Sequence, residues 1–134
     1  MSLYEDNRLK FTLAPDVLQR MPDPLIVVDA AGRIRMVNER ASLLTGYTES
    51  DLLHRPIEDL VPPPLRSEHE RYRGSYMQDP HTRAMGAGMR LEMVHADGSL
   101  IPVEINLAWL TAPDGNFAIA TVRRTAAEPG GQGA

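Results

Sequence analysis

Residues 66–107, RSEHERYRGSYMQDPHTRAMGAGMRLEMVHADGSLIPVEINL, hold a helical pattern followed by a strand pattern, and the change between the two decides the fold. In the first half, His69, Tyr72 and Tyr76 stand at the i, i+3 and i+7 spacing of one helix face. This spacing predicts a helix over residues 66–78. One side of that helix then carries a histidine next to two aromatic side chains.

In the second half of the stretch, apolar and polar residues alternate, which is the period of a strand with one buried face. The alternation predicts strands over residues 89–93 and 101–109. Between them, Asp97-Gly98 is typical of the turn in an antiparallel hairpin, with Gly98 at positive φ. The histidine-bearing helix is therefore expected close to an apolar sheet face.

The rest of the chain supplies further strands and short helices. Predicted strands span residues 25–28, 33–37 and 117–123. Asn38 is expected to cap a helix that Gly46 ends, with three residues facing inward: Ala41, Leu43 and Leu44. Strands at both ends with helices between them predict an α+β fold, one antiparallel sheet of five strands with the helices on one face.

A chain of 134 residues with 43% hydrophobic residues is expected to form one domain. We place that domain at residues 15–124. Residues 1–14 are predicted to be an N-terminal segment whose first three residues resemble a vector remnant, and the Gly-rich residues 125–134 a disordered tail or linker.

The charge and composition exclude several classes of partner. A net charge of −4 gives no electrostatic reason to expect nucleic acid or a membrane surface. No apolar run is long enough to span a bilayer. Without cysteine there are no disulfides, which is compatible with a reducing compartment, so a cytoplasmic location is expected.

An enzymatic function is not predicted, because no catalytic motif is present and no pair of carboxylates is placed by spacing. The carboxylates considered are Glu58, Asp59, Glu92 and Glu104. The arginines of the central stretch are interpreted as a solvated face: Arg71, Arg73, Arg83 and Arg90. The remaining histidines are interpreted as solvated too: His54, His81 and His95.

The chain resembles the PAS domains over residues 15–123. The residues that carry the resemblance are Leu25-Ile26-Val27-Val28-Asp29, Gly32-Arg33-Ile34, Asn38, Ala41, Leu44, Gly46-Tyr47, Leu52, Pro56, Asp97-Gly98-Ser99 and Pro102-Val103-Glu104. The resemblance implies a five-stranded antiparallel sheet of order 2-1-5-4-3 and a ligand cavity between sheet and helices. It also implies a homodimeric sensory module of a bacterial signal-transduction protein, with an output domain such as a histidine kinase or a cyclase elsewhere.

A narrower resemblance, to the haem-binding PAS domains of bacterial oxygen-sensor kinases, runs through Glu68-His69, Tyr72, Tyr76, Gly86, Gly88, Asp97-Gly98 and Pro102. It implies haem b as the leading cofactor, with His69 as the axial ligand to iron. It further implies Arg83 near a propionate, Tyr72 as a contact, and an opposite wall made by Met89, Ile105 and Leu107. The oxygen sensors have an arginine where this chain has Met89, so Met89 is either a thioether ligand or core.

Two other interpretations remain open at this point. In one, a small ligand occupies the cavity, or the cavity is plain core, and His69 only hydrogen-bonds a backbone carbonyl at its edge. In the other, the domain binds no ligand and only mediates protein interaction. Flavin is less favoured than haem, because the flavin photosensors of this family need a cysteine that the chain lacks.

Overall fold

The computed structural model of the protein describes residues 19–78, 83–85, 91–113 and 115–125, without the side chains of residues 72, 75–78 and 83–85. Two strands come first, the helices follow, and the remaining strands come last, which is the order expected. The elements are β1 (Leu25–Asp29), β2 (Ile34–Val37), α1 (Glu39–Thr45), α2 (Glu49–Leu52), the 3-10 helices Ile57–Leu60 and Pro63–Leu65, α3 (Arg66–Gln78), β3 (Arg83–Met85), β4 (Leu91–Val94), β5 (Leu100–Ala112) and β6 (Gly115–Arg124).

The strands form one antiparallel sheet in the order β2-β1-β6-β5-β3, with β4 also paired to β5. β3 pairs with residues 105–107 of β5, and β4 pairs with residues 100–103 of the same strand. β3 and β4 therefore follow one another along a single edge of β5. With these two segments counted as one strand, the sheet has the five positions and the order 2-1-5-4-3 that the family resemblance implies.

The central stretch forms the predicted helix and hairpin. α3 spans residues 66–78, as the spacing predicts. Gly98 has a φ of 91°, and the backbone N–H and the hydroxyl of Ser99 both donate to Asp97 Oδ1, which closes the turn. The first strand of the hairpin was predicted over residues 89–93; the described strand is β4, and residues 89 and 90 lie outside the described part of the chain.

The α1 helix is capped as predicted but presents a narrower inner face. Asn38 is 1% exposed, and its Oδ1 accepts the backbone N–H of Ala41, while Gly46 ends the helix at a φ of 81°. The prediction that Leu43 faces inward is wrong, since Leu43 is 68% exposed. Two residues beyond the buried Ala41, it points to the opposite side of a helix of 3.6 residues per turn.

The sheet carries apolar side chains on both faces. On the inner face, Ile26 and Val28 pack with Val103, Val122 and residues of the helices, including Ala41, Leu52 and Leu60. On the outer face, Leu25 and Val27 pack with Met36 and Phe117, and Met21 covers part of this cluster. Because successive strand residues point to opposite faces, the unbroken run Leu25–Val28 marks β1 as a strand buried on both sides.

Candidate ligand-binding cavity

A cavity of about 520 Å³ lies between the inner face of the sheet and the helical segment from residue 57 to α3. Its walls are mostly apolar. The sheet contributes Ile26, Val28, Leu91, Met93, Ile105, Leu107, Ala118, Ala120 and Val122, and the helical side contributes Ile57, Leu60, Val61, Pro62 and Leu65. This volume lies within the range of about 300–1,000 Å³ that is usual for small-molecule sites.

Among the residues that line the cavity, four have ionisable side chains: Glu68, His69, Arg73 and Glu92. His69 and Arg73 are four residues apart on α3, so they project from the same side of that helix. Glu68 and Glu92 are exposed. The cavity thus combines an apolar interior with a small polar group on one helix.

The His69 imidazole is held by the carboxylate of Glu58, which lies in the 3-10 helix Ile57–Leu60. Its Nδ1 lies 2.8 Å from Oε2 of Glu58, and its side chain is 30% exposed. A backbone carbonyl was the partner expected if His69 served only at the edge of the cavity. The observed partner is an acidic side chain, which accepts a stronger hydrogen bond than a backbone carbonyl does.

Arg73 joins the same carboxylate from the other side. Its Nε donates to Glu58 Oε2 at 2.9 Å, and its Nη1 donates to the backbone carbonyl of Ala30 at 3.1 Å. The side chain is only 14% exposed. The prediction that Arg73 belongs to a solvated face is therefore wrong: its guanidinium is taken up by an ion pair and by the β1–β2 turn, to which no sequence pattern pointed.

Glu58 lies at the centre of this group and is ionised at neutral pH. Burial by itself raises the pKa of its carboxyl, but the hydrogen bonds from Arg73 and His69, the charge of Arg73 and, when the ring is protonated, the charge of His69 outweigh burial. The pKa of Glu58 is therefore below its ordinary value. A carboxylate in this state accepts hydrogen bonds and donates none.

The start of α3 is fixed to the segment that carries Glu58. Arg66 donates from Nε to the carbonyl of Val61 at 2.8 Å and from Nη2 to the carbonyl of Asp59 at 3.4 Å. The prolines at 62 and 63 stiffen the connection between the 3-10 helix Ile57–Leu60 and α3. These local contacts set the distance between Glu58 and the helix face that carries His69 and Arg73.

The structure brings together part of the predicted site. His69, Ile105 and Leu107 all line the cavity. The backbone of Arg83 lies in β3 opposite Leu107, but its side chain and that of Tyr72 are outside the described part of the chain, as is the whole of Met89. Their predicted roles stay predictions.

Sequence reasoning missed Glu58 as a partner of His69. It was considered only as one of several carboxylates without a motif, since it lies 11 residues before His69 in a different helix. The signal that points to Glu58 is indirect: an arginine lies four residues after the histidine, and the acidic 3-10 helix Ile57–Leu60 lies a few residues before their helix. His95 also differs from its solvated interpretation, because its ring lies against Gly46 and its Nδ1 accepts the Asp97 N–H.

The residues that the structure describes contain no group of three or more histidine, cysteine or acidic side chains suited to a metal ion. Within the same residues, no helix has the length and apolar character needed to cross a membrane.

Comparison with known proteins connects this architecture to one family. The family model described as the PAS fold matches residues 15–125. Among curated proteins, Sensor protein FixL of Bradyrhizobium diazoefficiens is 29% identical over 102 residues, which cover 75% of this chain and 20% of that protein. A probable serine/threonine-protein kinase of Dictyostelium discoideum is 26% identical over 87 residues, or 65% of this chain and 6% of that one.

Solved structures show the same fold. The PAS domain of an HTR-like protein from Haloarcula marismortui matches with a TM-score of 0.70 and 23% identity, covering 88% of this chain and 99% of that chain. The LOV protein of Rhodobacter sphaeroides matches with a TM-score of 0.72 and 15% identity, covering 90% of this chain and 70% of that chain. The chain spans a fifth or less of the length of the curated relatives described above.

Proposed function

The chain belongs to the PAS family, and on that basis we propose that it is a sensory domain that detects a small molecule in the cavity between α3 and the sheet. PAS domains are in general sensory and non-catalytic, and no catalytic domain is evident among the described residues. The observation that carries the proposal is the cavity of about 520 Å³ with apolar walls and a histidine held at its side.

A sensory domain needs a ligand site that is linked to parts of the fold beyond it. Arg73 supplies such a link, because it lines the cavity and also binds the carbonyl of Ala30 in the β1–β2 turn. A ligand that displaces or pulls on His69 acts on Glu58, and Glu58 shares its Oε2 with Arg73. We propose that occupancy of the cavity is thereby connected to the β1–β2 turn.

The ligand proposal is tested with a neutral apolar dye, N-phenyl-1-naphthylamine, whose fluorescence rises in apolar surroundings. We expect saturable one-to-one binding by the wild type. Ala120→Leu fills the cavity from β6 and should abolish binding, whereas Ala31→Leu, on an exposed turn, should leave it intact. Equal binding by both variants would place the dye elsewhere on the protein.

Haem b is the specific ligand that we propose first, with His69 as the axial residue. The donor set fits: when the ring is neutral, a hydrogen bond from Nδ1 to Glu58 leaves an electron pair on Nε2, and Ile105 and Leu107 give an apolar wall. The resemblance to haem-binding PAS domains and the 29% identity to Sensor protein FixL support this choice. A bound haem would supply an iron that binds a gas or changes its oxidation state.

The rest of the predicted haem contacts remain part of the proposal. Arg83 is proposed near a propionate, Tyr72 as a further contact, and Met89 on the opposite wall. The haem proposal is tested by titrating the protein with haemin. A saturable Soret shift should appear in the wild type and in His54→Ala, whose histidine is exposed, and should be lost in His69→Ala. A shift that survives in His69→Ala would refute His69 as the ligand.

We also propose that the domain works as a homodimer within a larger cytoplasmic signalling protein of bacteria, with an output domain such as a histidine kinase or a cyclase. The curated relatives, which are far longer than this chain, support the larger protein. Met21 is only partly buried and packs on the outer cluster of Leu25, Val27, Met36 and Phe117, and we propose that the second copy packs on this side of the sheet. Sedimentation equilibrium should show dimers, and a monomer at high concentration would contradict the proposal.

A further inference from the structure

We propose that Glu58 is a positioning residue: it fixes His69 in the Nδ1–H form, so that Nε2 of the neutral ring is the atom offered to a ligand, and Arg73 holds Glu58 in place. The inference rests on the proposed ligand function of the cavity. It adds the group that sets the chemistry of His69 and, with it, the class of ligand that the cavity takes.

The first support is the sharing of one oxygen. Glu58 Oε2 lies 2.8 Å from His69 Nδ1 and 2.9 Å from Arg73 Nε. The Glu58 side chain is 14% exposed, so water has limited access to this oxygen. An arginine Nε carries a hydrogen and can only donate, and Oε2 therefore acts as an acceptor in this arrangement.

The second support concerns the tautomer of His69. Because Oε2 is an ionised acceptor, the nitrogen that faces it must carry the hydrogen. A neutral imidazole has only one N–H, so the hydrogen on Nδ1 leaves a lone pair on Nε2. His69 lines the cavity, and we infer that Nε2, the nitrogen not bound to Glu58, is the atom that offers a ligand its electron pair.

The third support is the rigidity of the carboxylate. Arg73 is anchored at its other end by the carbonyl of Ala30, and its guanidinium lies against Gly32, where an added Cβ would come within 2.6 Å of Cζ. Glu58 is thus fixed between α3 and the β1–β2 turn. A carboxylate held in this way restricts the orientation of a histidine ring and raises its basicity as a ligand.

This arrangement selects ligands that accept an electron pair. Such a ligand is either an apolar molecule with a Lewis-acidic centre, as in an iron porphyrin, or an apolar molecule with an O–H or N–H donor. A molecule whose only polar group is an acceptor gains no hydrogen bond from the lone pair of Nε2. The two accepted types share one chemistry and are separated by experiment.

The tautomer is tested first, in the ligand-free protein, by 15N NMR of labelled histidine at a pH where His69 is neutral. The wild type should show the Nδ1–H form. Glu58→Met keeps the length of the side chain but removes the acceptor, and should lose this form, whereas Glu58→Gln retains an acceptor oxygen and should keep it. Glu70→Gln, a change at a neighbouring exposed carboxylate that does not line the cavity, should have no effect.

An Nε2–H form in the wild type would by itself overturn the inference. A folded Glu58→Met protein whose spectrum is the same as that of the wild type would overturn it too. Because this measurement uses no ligand, its outcome does not depend on whether the cavity binds haem. A wild type with the Nδ1–H form that fails to bind any probe would instead contradict the proposed function.

Two probes then separate the ligand types. With haemin, Glu58→Met should move the midpoint potential of the complex to more positive values, since loss of an anion behind the axial histidine disfavours the ferric state. Glu70→Gln, outside the cavity lining, should move it less. 2-Naphthol has an O–H donor, and naphthalene has none. The ratio of the affinity for 2-naphthol to the affinity for naphthalene should be about two- to tenfold larger in the wild type than in His69→Phe. If neither probe depends on His69, the assigned ligand class is wrong.

Discussion

Gly32→Ala tests the packing of Arg73 against the β1–β2 turn. Gly32 is buried and has a φ of 88°, so any side chain there adds backbone strain of about 1 kcal/mol. A Cβ at this position would also come within 2.6 Å of Arg73 Cζ and 2.9 Å of its Nε and Nη2. No real Cβ tolerates such distances, and the guanidinium has to move.

The guanidinium then loses its hydrogen bonds to Glu58 and to the carbonyl of Ala30, which adds about 1–2 kcal/mol. We expect Gly32→Ala to lower the free energy of unfolding by about 2–3 kcal/mol in total. Gly98→Ala is the matched control, because Gly98 has a φ of 91° but open space around the added Cβ. It should cost only about 1 kcal/mol.

The assay is urea denaturation followed by far-UV circular dichroism. In an Arg73→Ala background, where the crowding is relieved, Gly32→Ala should cost no more than Gly98→Ala does in the wild type. Equal costs for the two glycines in the wild type would show that Arg73 does not occupy the space over Gly32. The proposed connection from the cavity to the β1–β2 turn through Arg73 would then be wrong.

Three further outcomes are expected. Asn38→Ala should lower the free energy of unfolding by about 2–3 kcal/mol, measured by thermal unfolding. The reason is that the buried Asn38 side chain accepts hydrogen bonds from two backbone N–H groups and donates one to the carbonyl of Asp23. Thr48→Ala, which removes an exposed cap, should lower it by only about 1 kcal/mol. Gly46→Ala should be more damaging than Gly98→Ala, since its Cβ would meet the His95 ring, and a second change, His95→Ala, should remove the excess. The free energy of unfolding should depend on the charge of Glu58, whose folded pKa lies below its ordinary value of 4.5. The advantage of the wild type over Glu58→Gln should therefore shrink as pH falls below 4.5, and an advantage that does not decrease between pH 4.5 and acid unfolding would contradict this.

Much of the fold was predictable because periodicity and capping act locally. The helix at 66–78, the glycine turn at Gly98 and the cap at Asn38 each follow from residues within a few positions of one another. The strand order needed the family resemblance, since a local pattern does not say which strands become neighbours. Leu43 was misplaced because a short helix leaves the direction of its inner face poorly defined by apolar residues alone.

The site was predictable only in part, for a related reason. His69, Ile105 and Leu107 were assigned to one cavity from the resemblance, and the structure places all three along its wall. The partners of His69 depend on tertiary contacts across 11 and 43 residues of chain, from Glu58 to His69 and from Ala30 to Arg73. Single charged residues at such separations give no periodic signal, so Arg73 of a largely buried ion pair was assigned to a solvated face.

The most direct test of the central claim is a crystal structure of the protein under xenon pressure. Xenon enters dry apolar cavities whatever their natural ligand, and its anomalous scattering gives its position. We expect xenon between α3 and the sheet, in contact with Ile105 and Leu107, and we expect Ala120→Leu to displace it. A filled hydrophobic core in that place, with xenon only at the surface or in a crystal contact, would contradict the claim.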